Sequence, residues 1–255
     1  MKVLTWNIAF GQPEKLDQLH AVLADTDADV ITLNEADHES TVAELAQRLS
    51  MTYVWTHGSG DRHVATLSRY PIVRWQIYNR KPLTQAALAT TLDVRPDGKN
   101  RLTVFNVHFR PDPFWHYELF RFLAANALLS VVKREQAQLS LIMGDLNTYG
   151  AGDPVDVETI LRFMRAQDRE TLRRQRYKFL RLSLPRLLRG GYSDCFRVLH
   201  PNDPGYTFTR HGHPVNRMDY ILADRGMRPQ LRGCRLLTGD LNVSDHFPLL
   251  AEFLP

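Results

Sequence analysis

Short apolar runs bounded by turn residues recur along the whole chain, and they limit what it can fold into. Val3–Ile8, Val30–Leu33, Val64–Ser68, Ile72–Tyr78, Leu88–Val94, Leu102–Phe109, Leu139–Met143, Met218–Leu222 and Leu249–Phe253 each have the length and composition of a strand. Several are apolar on both alternating faces, so the sheets they form need cover on both sides. Turn signals separate them: Gly58-Ser59-Gly60, Arg95-Pro96-Asp97-Gly98, Gly190-Gly191 and Pro204-Gly205. Pro-Asp-Gly between two strand-like runs predicts a hairpin. Helical patterns are fewer. Leu16, Leu19, Val22 and Leu23 share one face, as do Val42, Leu45, Ala46 and Leu49. A longer helix is predicted from about Trp115 to Arg134 with Leu119, Phe122 and Leu123 inward. The pattern is that of a mixed α+β chain. No repeat or low-complexity linker divides it, so residues 1–255 read as one domain.

With 255 residues, 44% of them hydrophobic, the chain can bury a large core without disulfides or a structural metal. Its two cysteines, Cys195 and Cys234, read as reduced thiols. No secretory signal precedes the first strand, and no apolar stretch spans a bilayer, so the expectation is a cytoplasmic protein. Nothing in the sequence specifies an oligomeric state. The net charge of +4 is unevenly spread. Residues 162–189 carry ten basic and two acidic groups, or +8, which leaves −4 for the rest.

Polar residues interrupt the apolar runs at particular places. In Leu141-Ile-Met-Gly-Asp145-Leu-Asn147-Thr148, the period of a strand puts Asp145 and Asn147 on one side of its mouth. An acid and an amide there can hold a water and a phosphoryl oxygen side by side, although Asp and Asn are also common at plain strand-to-turn junctions. Ser244-Asp245-His246-Phe247-Pro248 sets a carboxylate beside an imidazole, a pairing suited to metal ligation and proton transfer or to an ordinary loop. Asp219 interrupts the apolar run in Asn216-Arg-Met-Asp219-Tyr-Ile-Leu, and a buried carboxylate needs a partner. A histidine is one such partner, and Arg217 or another arginine is the other. Thr5-Trp6-Asn7, Leu33-Asn34-Glu35 and Asn106-Val-His108 each end a strand in polar side chains. Taken singly, these are common as caps, turns or hydrogen-bonded structural residues.

Taken in order, the seven segments Thr-Trp-Asn7, Asn-Glu35, Leu-Ser-Arg69-Tyr-Pro-Ile, Asn-Val-His108, Gly-Asp145-Leu-Asn147, Arg-Met-Asp219-Tyr-Ile and Ser-Asp245-His246 resemble the endonuclease/exonuclease/phosphatase superfamily. Deoxyribonuclease I, exonuclease III-type repair nucleases, neutral sphingomyelinases and inositol polyphosphate 5-phosphatases belong to it. The resemblance runs from residue 3 to residue 253. It implies a four-layer α/β sandwich of two packed mixed sheets flanked by helices. It also implies roles. Glu35 is the principal Mg²⁺ ligand, with Asn7 and Asp245 nearby and Mn²⁺ as a substitute ion. His246, oriented by Asp219, is a general base or a phosphate contact. Asp145 positions or deprotonates the attacking water, and Asn147 and His108 stabilise charge on the phosphoryl oxygens. Water attacks directly, with no covalent intermediate. The chain departs from the family pattern at Asn34, where Gln is usual, at Gln85, where many relatives have Arg, and at Phe109-Arg110-Pro111 after His108.

A reaction centre shared by nucleases, lipid phosphodiesterases and inositol phosphatases does not name a substrate. The informative segment is 151–192, read as a basic, helix-like insertion interrupted by Pro185. Its cations are mixed with Phe163, Tyr177, Phe179, Leu180, Leu182, Leu184, Leu187 and Leu188. It can track a nucleic-acid backbone, lie on an anionic membrane as a peripheral contact through 162–189, or simply cap the core. Most of the arginines precede the leucine-rich part, which favours nucleic acid over lipid. The expected function is therefore an Mg²⁺-dependent phosphodiesterase of the endonuclease/exonuclease type. A sphingomyelinase-like phosphodiesterase or an inositol-phosphate phosphatase is the alternative. A non-catalytic binding protein on the same scaffold would have lost acids that are all present here.

Overall fold

The computed structural model describes residues 1–56, 62–83, 87–94, 101–111, 114–164, 168–170, 180–239 and 243–254. The turns expected at Gly58-Ser59-Gly60 and Arg95-Pro96-Asp97-Gly98, Gln85, and residues 165–167 and 171–179 of the basic segment lie outside them.

One six-stranded sheet contains β1 (Lys2–Asn7), β2 (Val30–Asn34), β3 (Thr52–Thr56), β4 (Val64–Ser68), β13 (Leu231–Leu236) and β14 (Leu249–Phe253), in the order β13-β14-β1-β2-β4-β3. The other contains β5 (Ile72–Tyr78), β6 (Ala87–Asp93), β7 (Arg101–Val107), β8 (Leu139–Asp145), β9 (Ser193–Asp194) and β12 (Asp219–Ala223), in the order β5-β6-β7-β8-β12-β9. Each sheet has a parallel pair at its centre, β1 with β2 and β7 with β8, and antiparallel partners outside it. A helix crosses over within each parallel pair: α1 (Leu16–Thr26) in the first and α3 (Trp115–Glu135) in the second. A two-stranded ribbon, β10 (Phe208–Arg210) with β11 (His213–Asn216), stands apart from both sheets.

Strand parity explains the layers. Val3, Val30, Leu102, Val104, Leu141, Met143, Ile221, Leu249 and Ala251 form the core between the sheets. The alternate residues Leu4, Trp6, Ile31 and Leu33 pack under α1 and α2 (Glu39–Arg48). Phe105, Val107, Ile142, Tyr220 and Leu222 pack under α3 and α5 (Ser183–Arg189). The result is the expected α/β/β/α sandwich. Each sheet is apolar on both faces because each has a layer on both sides. Leu19, Leu23, Val42, Leu45 and Ala46 face inward as their spacing predicts.

Of the residues predicted to face inward on α3, Phe122 is half-buried and the two leucines are turned out. Leu119 and Leu123 are 42% and 52% exposed, and the buried face is Glu118, Arg121, Ala124, Ala125, Leu128 and Val131. A buried ion network accounts for this. Glu118 accepts from Arg121 Nε (2.7 Å) and from the Thr148 hydroxyl (2.8 Å), and it caps α5 by accepting from the Leu182 and Ser183 N–H groups (2.9 and 2.8 Å). The alanines beside it let the helix lie close to the sheet. Pro185 does not interrupt a helix either. It sits in the first turn of α5, where its missing N–H costs no intrahelical bond. Leu184 and Leu187 are buried against α3, so those two leucines are inside the core and not at a surface. The segment also contributes α4 (Val157–Phe163). A last short helix, α6 (Cys195–Leu199), follows β9. No helix among the described residues is long and apolar enough to cross a membrane.

Candidate active site

The carboxyl ends of the two parallel pairs meet at one edge of the inter-sheet seam. In open α/β sheets this is where ligands bind. Residues with inward parity that are apolar along the strands become polar at these ends: Asn7 on β1, Asn34 on β2, Asn106 and then His108 on β7, and Asp145 on β8. Asp219 opens β12 directly opposite Asp145.

Two amides join the sheets beneath the site. Asn34 Nδ2 donates to Asn106 Oδ1 (2.8 Å) and to the Val107 carbonyl (3.3 Å), and Asn34 Oδ1 accepts from the Asp145 N–H (2.7 Å). Asn106 Nδ2 donates back to the Leu33 and Ala65 carbonyls (3.2 and 2.7 Å). The seam is tight at Gly144. A Cβ there would lie 1.9 Å from the Val107 oxygen, and its φ of +135° is foreign to other residues. Asn34 stands where Gln is usual in the family, and here the shorter amide is matched by Asn106.

Beyond this clasp the chain leaves both β2 and β8 in left-handed conformations, at Glu35 (φ 51°) and Asn147 (φ 47°). Strand period therefore does not carry Asn147 to the cavity as expected; the turn does. Its N–H donates to Asp145 Oδ1 (2.8 Å) and its side chain to the Phe109 carbonyl (3.0 Å). Such strain in non-glycine residues clusters at functional sites. Asn7 links the two carboxylates, its Nδ2 lying 3.1 Å from Asp145 Oδ2 and 3.3 Å from Glu35 Oε1.

The Ser-Asp-His segment is fastened to β1. Ser244 Oγ donates to the Asn7 carbonyl (2.6 Å) and accepts from the His246 N–H (3.0 Å), while the Trp6 indole donates to the His246 carbonyl (2.9 Å). This holds His246 Nδ1 2.8 Å from Asp219 Oδ2 and Nε2 3.9 Å from Asp145 Oδ2. Asp219 thus has the histidine partner. Arg217, the other candidate, pairs with Asp153 (2.9 Å) and Asp194 (2.7 Å) instead.

Burial alone would push the His246 imidazole down, but the charge of Asp219, its hydrogen bond, and Asp145 and Asp245 outweigh it and hold it up to about 10. Burial raises Asp145 to about 7, helped by Asp219 and opposed by His246. His108 is pushed down to about 3 by burial, then by Arg62 and His246, so its ring is neutral. It lies 3.7 Å from Asp145 Oδ2 and 3.9 Å from Glu35 Oε1, and neither ring nitrogen has a hydrogen-bond partner among the described residues. Burial raises Glu35, against the pull of Arg62.

Glu35, Asp145, Asn147, Asp245 and His246 line a cavity of 910 Å³, with Asn7 and Asp219 held behind them, while His108 lines a second cavity of 410 Å³ on its other side. Lys15, Arg62 and Arg210 reach the larger cavity, as do Phe10, Phe114 and Phe208. Asp245 lies exposed at its rim. The donor atoms of Asp145, Asp219 and His246 fall within 4.8 Å of one another. Two of those three are hydrogen-bonded to each other, however, whereas Glu35 faces the cavity with a cation, Arg62, already on its carboxylate. Arg62 had no signal in the sequence beyond being a basic residue before a strand. Asn34 and Asn106 had one, as amides at inward positions of otherwise apolar strands.

The endonuclease/exonuclease/phosphatase family model matches residues 4–246. The chain belongs to that family. It is accordingly a phosphoesterase, and its fold is the family's. A 3′ phosphatase from Neisseria, solved with a product DNA hairpin, superposes with a TM-score of 0.74 at 21% identity, covering 99% of both chains. An AP endonuclease from Archaeoglobus fulgidus gives 0.74 at 18% identity and the same coverage. The catalytic domain of Xenopus laevis APE2 gives 0.67 at 20%, covering 99% of this chain and 91% of that one. No curated protein matches. Within the family sandwich, both cysteines are buried and unpaired, as expected of thiols with no structural duty.

Proposed function

We propose that this phosphoesterase is an Mg²⁺-dependent hydrolase of phosphodiesters that acts by direct attack of water, with nucleic acid as its substrate. The observation that carries the reading is the His246–Asp219 pair facing Asp145 across the cavity, beside Glu35. The donor set fits a hard divalent cation. Glu35 and Asp245 offer oxygens at the cavity, Asn7 Oδ1 accepts from the Ala9 N–H (3.1 Å) and has a second lone pair to give, and Glu35 is already turned toward positive charge. Mn²⁺ accepts the same donors. When bound, the ion neutralises charge on a phosphoryl oxygen and favours ionisation of water.

The protein's own groups then divide the work. Asp219 fixes the His246 ring by its Nδ1 and keeps it charged, so Nε2 donates to a phosphoryl oxygen. A charged imidazole cannot accept a proton, which leaves Asp145 as the base for the water. One of its oxygens is oriented by the Asn147 N–H and the other by the Asn7 amide. His108, neutral and without a hydrogen-bond partner among the described residues, and the second N–H of Asn147 stabilise the remaining oxygens. The whole chain, 1–255, acts as one catalytic domain, and its insertion at 151–192 contributes Ile160, Met164 and Asp168 to the cavity lining.

For nucleic acid, the support is the rim. Lys15, Arg62 and Arg210 are cations that can meet phosphates, and Phe10, with the Arg62 guanidinium over one face (4.7 Å), and Phe208, packed on the His246 ring, are aromatics on the same rim. The related Neisseria structure holds DNA. A phospholipid headgroup is a second reading, favoured by one observation: an exposed apolar strip of α3 begins at the cavity lip. The deciding experiment offers plasmid DNA, abasic duplex, phospholipid vesicles, inositol phosphates and bis-p-nitrophenyl phosphate to the protein with Mg²⁺, Mn²⁺ or EDTA. Hydrolysis that is lost in EDTA, and in folded Glu35→Ala and His246→Ala, supports the mechanism. No turnover with any divalent ion sinks it, and absence of DNA nicking at low salt removes the nucleic-acid substrate.

A further inference from the structure

The first half of α3 leaves its largest apolar side chains outside. Trp115, Leu119, Phe120 and Leu123 are 41%, 42%, 51% and 52% exposed, and their spacing gathers them into one strip. The cause is the Glu118–Arg121 network, which takes the inward face for charged groups and turns the leucines out. Contiguous exposed apolar surface of this kind marks an interaction site.

Beside the strip is the second cavity, of 410 Å³, which backs onto the reaction centre through His108. Pro82, Leu83, Phe109 and Ala124 give it apolar walls, and Lys81 and Arg110 stand at it as exposed cations. Arg110 is held in place. Its carbonyl accepts from buried Arg121 (2.9 Å), and its guanidinium lies over the rings of Tyr117 (4.6 Å) and Phe120 (5.7 Å). The sole acid between Trp115 and Ala124 is Glu118, which is buried and paired. The surface therefore combines apolar side chains, aromatic rings and the positive charge of Lys81 and Arg110. It is also continuous with the active site, since Pro111 and Phe114, which flank Arg110 and Trp115 in the chain, line the reaction cavity.

We propose that this face of α3, with the cavity beside it, is a docking surface for an anionic phospholipid bilayer. Trp115, Leu119, Phe120 and Leu123 enter the interfacial region, and Lys81 and Arg110 meet lipid phosphates at its edge. A bilayer seated there brings headgroup phosphates to the lip of the reaction cavity. The inference deepens the second substrate reading above but does not depend on catalysis. A nucleic-acid strand would use the cations but would leave the leucines in water.

The test is co-sedimentation of the full chain with vesicles of phosphatidylcholine, with and without phosphatidylglycerol, in EDTA. Binding is expected to the anionic vesicles, weakened by salt. It should fall about ten-fold or more in the double variant Leu119→Glu, Leu123→Glu, and fall also in Lys81→Ala, Arg110→Ala. The leucine variant should keep the wild-type rate on soluble bis-p-nitrophenyl phosphate, which shows that its fold and reaction centre are intact. No sedimentation with either vesicle overturns the proposal, as does binding unaffected by the leucine variant. So does a wild type that ignores vesicles but binds duplex DNA through Leu119 and Leu123. Because sedimentation is read without metal, an inactive wild type would defeat the mechanism and leave this result standing.

Discussion

Asp219→Asn tests the centre of the mechanism with the smallest change of shape. Asparagine keeps an oxygen 2.8 Å from His246 Nδ1, so the ring can stay where it is. The carboxylate charge is what disappears. That charge is the main influence holding the imidazole up to about 10 from an ordinary 6.5, against burial. Without it, only Asp145 and Asp245 oppose burial, so the imidazole falls from about 10 and its neutral form gains. A neutral Nε2 is a weaker donor to a developing phosphoryl charge. The equivalent exchange in Ser-His-Asp triads costs up to about 10⁴-fold in kcat, and loss of one charge-assisted contact costs about 10²-fold or more. A fall in kcat of about 10²- to 10⁴-fold, ~3–5 kcal/mol, is therefore expected. Steady-state hydrolysis of bis-p-nitrophenyl phosphate reads it, alongside an NMR titration of labelled histidine. The variant should also lose a stability term. In the wild type the folded ring has the higher pKa, so the pair stabilises the fold fully below pH 6.5 and progressively less as pH rises through about 10. A kcat within about three-fold of wild type, or an unchanged His246 titration in a folded variant, would refute the role given to Asp219.

Other perturbations follow from the same geometry. Gly144→Ala forces a Cβ against the Val107 oxygen at a φ that alanine avoids, and should cost more than ~4 kcal/mol, read as loss of soluble protein or of cooperative melting. Asn34→Ala removes the amide that holds Asp145 N–H and Asn106 across the seam, with ~1–3 kcal/mol for each buried group left unpaired. It should lower kcat more than it raises KM, although Asn34 does not line the cavity. Glu118→Ala leaves Arg121 buried without its carboxylate and uncaps α5. A loss of ~3–5 kcal/mol, or on the order of 10 °C in Tm, is expected by calorimetry. His108 has its folded pKa depressed to about 3, so its contribution is present above pH 6.5 and is lost as pH falls toward 3. Urea melts across that window should show a shallower pH slope in His108→Gln.

The sequence is legible where short-range period and the identity of a residue agree. Strand positions 3, 5 and 7, or 102, 104 and 106, can be assigned to one face by counting, and a polar residue at the end of such a series points into the seam. That is why Asn7, Asp145 and Asp219 stand out, and why an acid inside an apolar run could be expected to seek a histidine. Counting fails on α3, where Leu119 and Leu123 are the obvious inward residues and Glu118 and Arg121 are taken instead. The partners that make burial of Glu118 favourable are Thr148, Leu182 and Ser183, which no local pattern connects to it. Short or arginine-bearing strands such as β9, β11 and β13 escape for a similar reason. Leu231-Arg-Gly-Cys-Arg-Leu carries a register shift between Leu231 and Gly233 that breaks its alternation.

The two sheets are built alike: a parallel pair joined by a helix at the centre, with antiparallel neighbours on each side. This arrangement explains why the reactive groups come from both ends of the sequence. Each parallel pair directs two strand termini to the same edge, and packing the sheets face to face brings the two sets together. Asn7 and Glu35 arrive from one pair, His108 and Asp145 from the other. Neither half holds both the carboxylate beside Arg62 and the carboxylate facing His246. The contacts that matter most are consequently those that cross the seam: Asn7 to Asp145, Asn34 to Asp145 and Asn106, and Ser244 and Trp6 holding the histidine against β1 while Asp219 grips it from β12. All of these are amide, hydroxyl, indole or imidazole contacts of fixed direction. An apolar seam could slide by a fraction of an ångström at little cost, whereas this one fixes the separation of the two carboxylates on which the chemistry depends.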